Sequence, residues 1–189
     1  MKIGFSGASG SGKTTIVKQL KELLSEDFNV VAINEVARSV FLEFNETYGY
    51  QNLTEIRNSE HYLSFQKRIL DEQIYWERKY QKEYNIVLCD RTIYDILLYV
   101  LLYGKPRDIR RFLCYFEYRC EAHEPYDKIF LLEYLKGVDV DDGFRTPDIE
   151  YRNAQELILK NLLREVEYVY IPQSSVEQRL ALILLELGL

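Results

Sequence analysis

The chain has 189 residues and a formal net charge of −6 at pH 7, with 47% hydrophobic and 29% charged residues. This composition is typical of one globular domain over residues 1–189 with a sizeable core, and the acidic balance argues against a general nucleic-acid binder. No apolar run approaches the roughly 20 residues that cross a membrane, and we expect no signal peptide, because the N-terminus enters a predicted strand at once. The three cysteines have no metal-binding spacing, so we expect reduced thiols in a cytoplasmic protein.

The most specific motif lies between the first predicted strand, residues 2–6, and a helical pattern over residues 15–24. Residues 7–14 match G-x-x-x-x-G-K-[ST], and strand, glycine loop and helix are the context that this phosphate-binding motif requires. Glycines let successive N–H groups turn toward one anion, and the helix adds its N-terminal dipole. The expected cofactors are therefore ATP and Mg²⁺, with Lys13 on the phosphates and Thr14 on the metal. The predicted cofactor-binding residues are Gly7, Ala8, Ser9, Gly10, Ser11, Gly12, Lys13, Thr14 and Thr15.

Strand and helix patterns alternate along the rest of the chain, which is typical of a parallel α/β sheet. One long amphipathic helix is predicted over residues 54–84, and its inner face is predicted to carry Tyr62, Phe65, Ile69, Trp76 and Tyr80. Further strands are predicted at residues 29–33, 85–90, 128–132 and 168–171. Further helices are predicted at residues 36–44, 93–103, 106–120 and 149–166, and after residue 176.

Asp90 ends a continuously apolar strand, the position of a carboxylate that holds Mg²⁺ directly or through water. The alternative is an Asp that caps the next helix. Arg91 follows it, and a guanidinium there grips a substrate or a phosphate bidentately. The alternative for Arg91 is a surface ion pair.

Glu35 follows the second predicted strand, where a carboxylate takes the proton from an attacking hydroxyl. Arg38, one turn further on, is predicted to orient the acceptor. A helix N-terminal Glu in a favourable dipole position is the alternative reading of Glu35.

The polar stretch at residues 137–147 has glycines near both ends and precedes a helix that carries Arg152. We predict a lid over about residues 137–152, which brings Arg145 and Arg152 to the triphosphate. A solvated surface loop is the alternative.

A locally basic segment contains Lys105, Arg107, Arg110 and Arg111. A solvated helix face is the favoured interpretation, and a docking patch for DNA or RNA is the alternative. The Asn-Lys-x-Asp pattern that reads guanine is absent from the sequence, which argues against a GTPase switch.

Taken together, these motifs resemble the P-loop nucleoside and nucleotide kinases, in particular the ATPase-like group that includes the ribosylnicotinamide kinase domain. The resemblance implies a three-layer α/β/α fold with a five-stranded parallel sheet of order 2-3-1-4-5 and a lid. Deoxynucleoside kinases carry Glu-Arg-Ser in place of Asp90-Arg91-Thr92. Thymidylate kinases carry Asp-Arg followed by an aromatic residue, where this chain has Thr92, so neither family's substrate is carried over. The matching segments are Gly7–Thr14, Glu35-x-Ala37-Arg38, Asp90-Arg91, Asp142-Gly143-x-Arg145 and Tyr170–Ser175. In that family the last segment lies near the adenine base, and here it is followed by a predicted helix that carries Arg179.

The sequence thus predicts an ATP- and Mg²⁺-dependent phosphotransferase with a small nucleoside or nucleotide acceptor and, as one option, a homodimeric state. Its predicted catalytic residues are Lys13, Glu35, Arg91, Arg145 and Arg152. Glu35, Arg38 and Arg91 are predicted to bind the acceptor, and Thr14 and Asp90 the metal. Two alternatives stay open: a kinase acting on a modified base or an end of DNA, as some phage enzymes of this broad group do, and a regulatory ATPase without an acceptor.

Overall fold

The computed structural model describes residues 1–135 and 149–189, without the side chain of Ile149. Within them, five parallel strands form one sheet in the order β2-β3-β1-β4-β5, which confirms the predicted topology. The strands are β1 (Lys2–Gly7), β2 (Val30–Ile33), β3 (Ile86–Asp90), β4 (Lys128–Leu132) and β5 (Val169–Ile171). The helices are α1 (Lys13–Leu24), α2 (Val36–Tyr48), α3 (Leu53–Asn58), α4 (Tyr62–Glu83), α5 (Ile93–Tyr103), α6 (Pro106–Cys120), α7 (Ile149–Leu162) and α8 (Val176–Leu187).

Helices cover both faces of the sheet. Ile3 and Phe5 of β1 belong to a cluster with α1 and α8 on one face. Ile129 and Leu131 of β4 pack with α5 and α7 on the other face. Because successive strand residues point to opposite faces, apolar runs such as β4 are buried on both sides, and the three-layer α/β/α architecture is confirmed. No helix in the described part of the chain is long and apolar enough to cross a membrane.

The single helix predicted over residues 54–84 is wrong, because two helices, α3 and α4, occupy this stretch. Ser59 separates them in an extended conformation, with φ −89° and ψ 168°. Its hydroxyl donates to the Ile56 carbonyl at 2.8 Å and accepts from the His61 N–H at 3.1 Å. These local bonds satisfy backbone groups that a continuous helix would pair, so the chain leaves the helix although its apolar periodicity continues.

The common inner face predicted for this segment is also wrong in part. Phe65 and Ile69 of α4 pack with α2, α5 and α6. Trp76 and Tyr80 lie further along α4 and pack over strands β2 and β3 instead. The helix is 22 residues long, so it passes from one set of neighbours to another and its buried side follows them.

A buried charge cluster joins the start of β1 to α4. The side chains of Lys2 and Glu77 are both fully buried, with Nζ and Oε2 2.9 Å apart. Glu77 also accepts hydrogen bonds from Gln73 at 2.8 Å and Tyr126 at 2.6 Å, and His123 Nε2 lies 2.6 Å from Oε2. Burial acts to raise the pKa of Glu77, but the hydrogen bond to His123 and the charge of Lys2 hold that pKa below its usual value.

We expect Glu77→Ala to lower the free energy of unfolding by roughly 3–5 kcal/mol, because it leaves the Lys2 ammonium buried without its partner. Urea unfolding measures the loss. The matched control is Glu72→Ala on the same helix, which removes the partly exposed partner of Arg68 at 2.6 Å. The control should cost less than about 1 kcal/mol. An equal, small loss in both variants would contradict the assigned role of the buried pair.

The same carboxylate should make stability depend on pH. Its pKa is lower in the folded than in the unfolded protein, so the stabilisation is complete above the ordinary Glu pKa of about 4.3. It is lost as the pH falls through the folded pKa. We therefore expect the urea midpoint of the wild type to fall more steeply below about pH 4.3 than that of Glu77→Gln, which does not titrate there. If the urea midpoints of the two proteins fell in parallel with pH, Glu77 would not be the source of the pH dependence.

Candidate active site

The loop between β1 and α1 has the conformation that its glycines permit. Gly10 and Gly12 have φ of 80° and 83°, in the left-handed region that favours glycine. At Gly7 an added Cβ would lie 2.6 Å from the Leu132 carbonyl oxygen, so a side chain would collide with β4. Strand, loop and helix therefore follow each other as the motif predicts.

Lys13 is buried inside this loop. Its ammonium donates to the carbonyl oxygens of Gly7 at 2.7 Å and Ala8 at 3.0 Å, and to the Ser11 hydroxyl at 3.1 Å. Burial and the nearby charge of Arg91 lower the pKa of Lys13. The loop thus holds a positive charge within the curve of its own backbone.

Thr14 and Asp90, the predicted metal ligands, are in contact. The Thr14 hydroxyl donates to Asp90 Oδ2 at 2.6 Å. The parallel register places Asp90 beside Phe5, two residues before the loop begins. A hydroxyl and a carboxylate oxygen are donors that suit Mg²⁺, so the residues present fit this ion.

A cavity of about 220 Å³ adjoins the loop and brings together the predicted acceptor residues Glu35, Arg38 and Arg91. Trp76 of α4 does not line it and packs against Tyr80 with ring centroids 5.2 Å apart. The wall combines charged groups with aromatic rings and an amide, a lining that suits a flat polar ligand. It includes Ser9, Thr14, Glu35, Arg38, Phe41, Tyr62, Phe65, Gln66, Asp90 and Arg91.

Two of these residues have a strained backbone. Glu35, with φ 59°, and Arg91, with φ 122°, are the only non-glycine residues with positive φ in the described ranges. Glu35 precedes α2, and its carboxylate lies 3.6 Å from Arg38 in an exposed pair. Such conformations persist only where surrounding structure enforces them, and they cluster at functional sites.

Tyr99 of α5 was not found by the motif search. Arg91 donates to its hydroxyl at 3.2 Å, and the Ser9 hydroxyl lies 3.4 Å from the same oxygen. Burial acts to raise the pKa of Tyr99, but the charges of Arg91 and Lys13 and the bond to Ser9 bring it to about 8. Tyr99 lies two turns beyond Arg91, but α5 carries three tyrosines, so no signal in the sequence singled this one out.

Asp95 was missed as well. It is fully buried, and its Oδ2 accepts from the Ser6 hydroxyl at 2.8 Å, the Thr92 N–H at 2.9 Å and the Thr92 hydroxyl at 2.8 Å. The bond from the Thr92 N–H belongs to the capping box of α5, and the bond from Ser6 ties the turn that contains Arg91 to the end of β1. Asp95 therefore holds this turn in place.

Helix α7 reaches the loop through Arg152 and Gln155. Gln155 is buried, and its side-chain carbonyl accepts the Ser9 N–H at 2.9 Å. The guanidinium carbon of Arg152 lies 3.7 Å from the position that a Cβ on Gly10 would occupy. The structure thus brings Arg152 to the loop, whereas Arg145 and most of the predicted lid, residues 136–148, lie outside the described residues.

The chain was compared with protein families, curated proteins and solved structures. A family model described as an AAA domain matches residues 2–179. No curated protein matches the sequence significantly. Among solved structures, deoxyadenosine kinase from M. mycoides with bound dATP has a TM-score of 0.71 at 14% identity, over 100% of both chains.

Two other kinds of protein share this fold. The NadR protein in complex with NR gives a TM-score of 0.71 at 18% identity, and the chain spans about half of it, 52%. Thymidylate kinase from Ehrlichia chaffeensis gives 0.61 at 21% identity, over 99% of this chain and 98% of that one. These TM-scores show that the chain shares the fold of the three proteins.

We expect a tyrosinate absorbance titration to show one group with a pKa of about 8, because the positive charges beside Tyr99 stabilise its phenolate. Tyr99→Phe should remove this step. Arg91→Met should move it upward, since the largest opposing charge is lost. Tyr75→Phe is the control, because that ring is 54% exposed, and it should leave the step unchanged. A wild-type titration that begins only near pH 10, the ordinary tyrosine value, would contradict the assignment.

Proposed function

The chain belongs to the AAA domain family, and we propose that it is an ATP- and Mg²⁺-dependent kinase that phosphorylates a nucleoside or nucleotide. One observation carries the proposal: a single cavity joins Thr14 and Asp90 at the loop to Glu35, Arg38 and Arg91. A donor site and an acceptor site would therefore meet at these residues. The shared fold of a deoxyadenosine kinase, NadR and a thymidylate kinase supports an acceptor of this class. Residues 1–189 would form one kinase domain with a lid at about residues 137–152.

On the donor side, Lys13 would exchange the carbonyls of Gly7 and Ala8 for phosphate oxygens. The N–H groups of the loop and the start of α1 would bind the remaining oxygens. Thr14 and Asp90 would hold Mg²⁺, which would supply positive charge against the phosphate oxygens. The guanidinium of Arg152, already beside Gly10, would add to this neutralisation together with Arg145.

On the acceptor side, Glu35 would take the proton of the attacking hydroxyl as its oxygen bonds to the γ-phosphorus and the bond to the leaving oxygen breaks. Glu35 lines the cavity, and its left-handed backbone sets the direction in which its side chain leaves the chain. Arg38 and Arg91 would orient the acceptor, and Arg91 is itself held by Tyr99 at 3.2 Å. The rings of Phe41, Tyr62 and Phe65 and the amide of Gln66 would receive a nucleobase.

No structural observation favours the alternatives. The four cations of residues 105–111 lie at or on α6, and none of them is among the described residues that line the cavity. A DNA acceptor therefore gains no support from that segment. A regulatory ATPase would not need the aromatic wall opposite the loop.

We expect the wild type to transfer label from γ-labelled ATP, in the presence of Mg²⁺, to a member of a panel of free nucleosides and mononucleotides and not to duplex DNA. Lys13→Ala should lower the rate by about 100-fold or more, because a positive charge on the transferring group is lost. Lys18→Ala on the exposed side of α1 is the matched control and should keep the full rate. Thermal unfolding of both variants shows whether the fold persists.

The outcomes separate the three functions. Labelled duplex DNA would replace the proposal by a DNA kinase. ATP hydrolysis without any labelled acceptor would replace it by a regulatory ATPase. Undiminished transfer by folded Lys13→Ala would contradict the use of this loop in catalysis.

A further inference from the structure

Arg179 of α8 is almost fully buried, at 2% exposure, and its guanidinium donates hydrogen bonds to three backbone carbonyls. Nη1 donates to Ser11 at 2.6 Å, Nη2 to Glu133 at 2.8 Å and Nε to Pro172 at 3.1 Å. These carbonyls belong to three separate segments: the phosphate-binding loop, the end of β4 and the end of β5. One side chain thus joins three parts of the sheet edge that carries the site.

The bonds explain why a guanidinium lies here. Burial lowers the pKa of Arg179, and the charge of Glu133 opposes that shift. An apolar side chain of similar volume would fill the space beside Leu180 without desolvating a charge. What the guanidinium adds is a planar set of donors that reaches several acceptors in fixed directions.

The bond to Ser11 also fixes the direction of the next N–H. The Ser11–Gly12 peptide is trans, so the Ser11 carbonyl and the Gly12 N–H point in opposite directions across one plane. Because the Ser11 carbonyl accepts from Arg179, the Gly12 N–H points away from the guanidinium and is left for a ligand on the other side of the peptide. Gly12 has a left-handed φ of 83°, so its backbone could adopt other orientations at little cost without this restraint.

The other two bonds of Arg179 link Glu133, after β4, to Pro172, after β5. Glu133 also contacts this second segment directly, because its Oε2 accepts the Gln173 N–H at 2.8 Å. Ser175 then begins α8 with a capping box to Gln178, one residue before Arg179. Residues 172–175 therefore both lead into the helix that carries Arg179 and accept one of its hydrogen bonds. A shift of the guanidinium would break its bonds to the ends of β4 and β5.

We propose that Arg179 is a positioning residue that holds the Gly12 N–H toward the phosphates of a bound nucleotide. The inference rests on the proposed function, since it assumes that the loop binds a polyphosphate. In this proposal Arg179 does not touch the ligand and acts on phosphate binding through the Ser11–Gly12 peptide. Its removal should weaken phosphate binding while the sheet and its helices stay folded.

The test compares wild type, Arg179→Lys and Arg179→Met in calorimetric titrations with inorganic tripolyphosphate and with ATP. We expect both variants to bind tripolyphosphate about 10- to 100-fold more weakly, the effect of one hydrogen bond to a charged group. Lysine keeps the charge but cannot reach all three carbonyls, so it should not restore binding. Arg164→Met, an exposed position just beyond α7, is the control and should bind as the wild type does.

Glycine-selective ¹⁵N labelling gives a second readout, because the chain has only nine glycines. The Gly12 amide of the wild type should shift on addition of tripolyphosphate, and the shift should be lost in both Arg179 variants. A general loss of structure would instead also move the signals of glycines far from the loop, such as Gly49 and Gly104, and change the circular dichroism spectrum.

Failure of the two proposals is distinguishable. A wild type that binds neither tripolyphosphate nor ATP would overturn the proposed function. A wild type that binds, with folded Arg179 variants of equal affinity, would overturn the role of Arg179 alone. Unfolding of both variants would also overturn it, by showing that the guanidinium serves the whole fold.

Discussion

The parallel register of β1 and β3 is the constraint on which the site depends. It sets Phe5 beside Asp90, so the strand that ends in the loop and the strand that ends in the carboxylate finish at the same edge. The 2.6 Å contact between Thr14 and Asp90 follows directly. Because β2 pairs with the other side of β3, Glu35 emerges at that edge as well. A one-residue slip would reverse the faces of β3 and break both relations.

The chain is acidic as a whole, yet the loop is surrounded by cations. Lys13 lies within it, Arg91 and Arg152 flank it, and Arg179 supports it from behind. Two of these cations, Arg91 and Lys13, act against burial and bring the pKa of Tyr99 down to about 8. Field strength at a site depends on where charges are placed and how deeply they are buried, not on the net charge of −6.

The parallel α/β sheet and the proximity of Thr14 to Asp90 were predictable, because a specific loop motif and apolar strand runs encode them locally. The strand order and the three layers were expected only from the resemblance to P-loop kinases, since no local pattern in the sequence specifies which strands pair. The break at Ser59 was not, since two hydroxyl bonds outweigh a continuing apolar period there. Asp95, Gln155 and Arg179 were missed as site residues for another reason. Each acts by contacting a backbone or turn that is distant in sequence or unremarkable in type, and such pairings follow only from the assembled sheet edge.

The bond from the Ser9 N–H to Gln155 makes this side chain a competitor for the loop. An anion that takes this N–H must displace the amide carbonyl of Gln155, and the two bonds exclude each other. By thermodynamic reciprocity, anything that turns the Gln155 amide away raises the affinity of the loop for phosphate by the same factor by which phosphate favours that turn. A rotation of one side chain is enough for this exchange, so Arg152 of the same helix can stay beside Gly10.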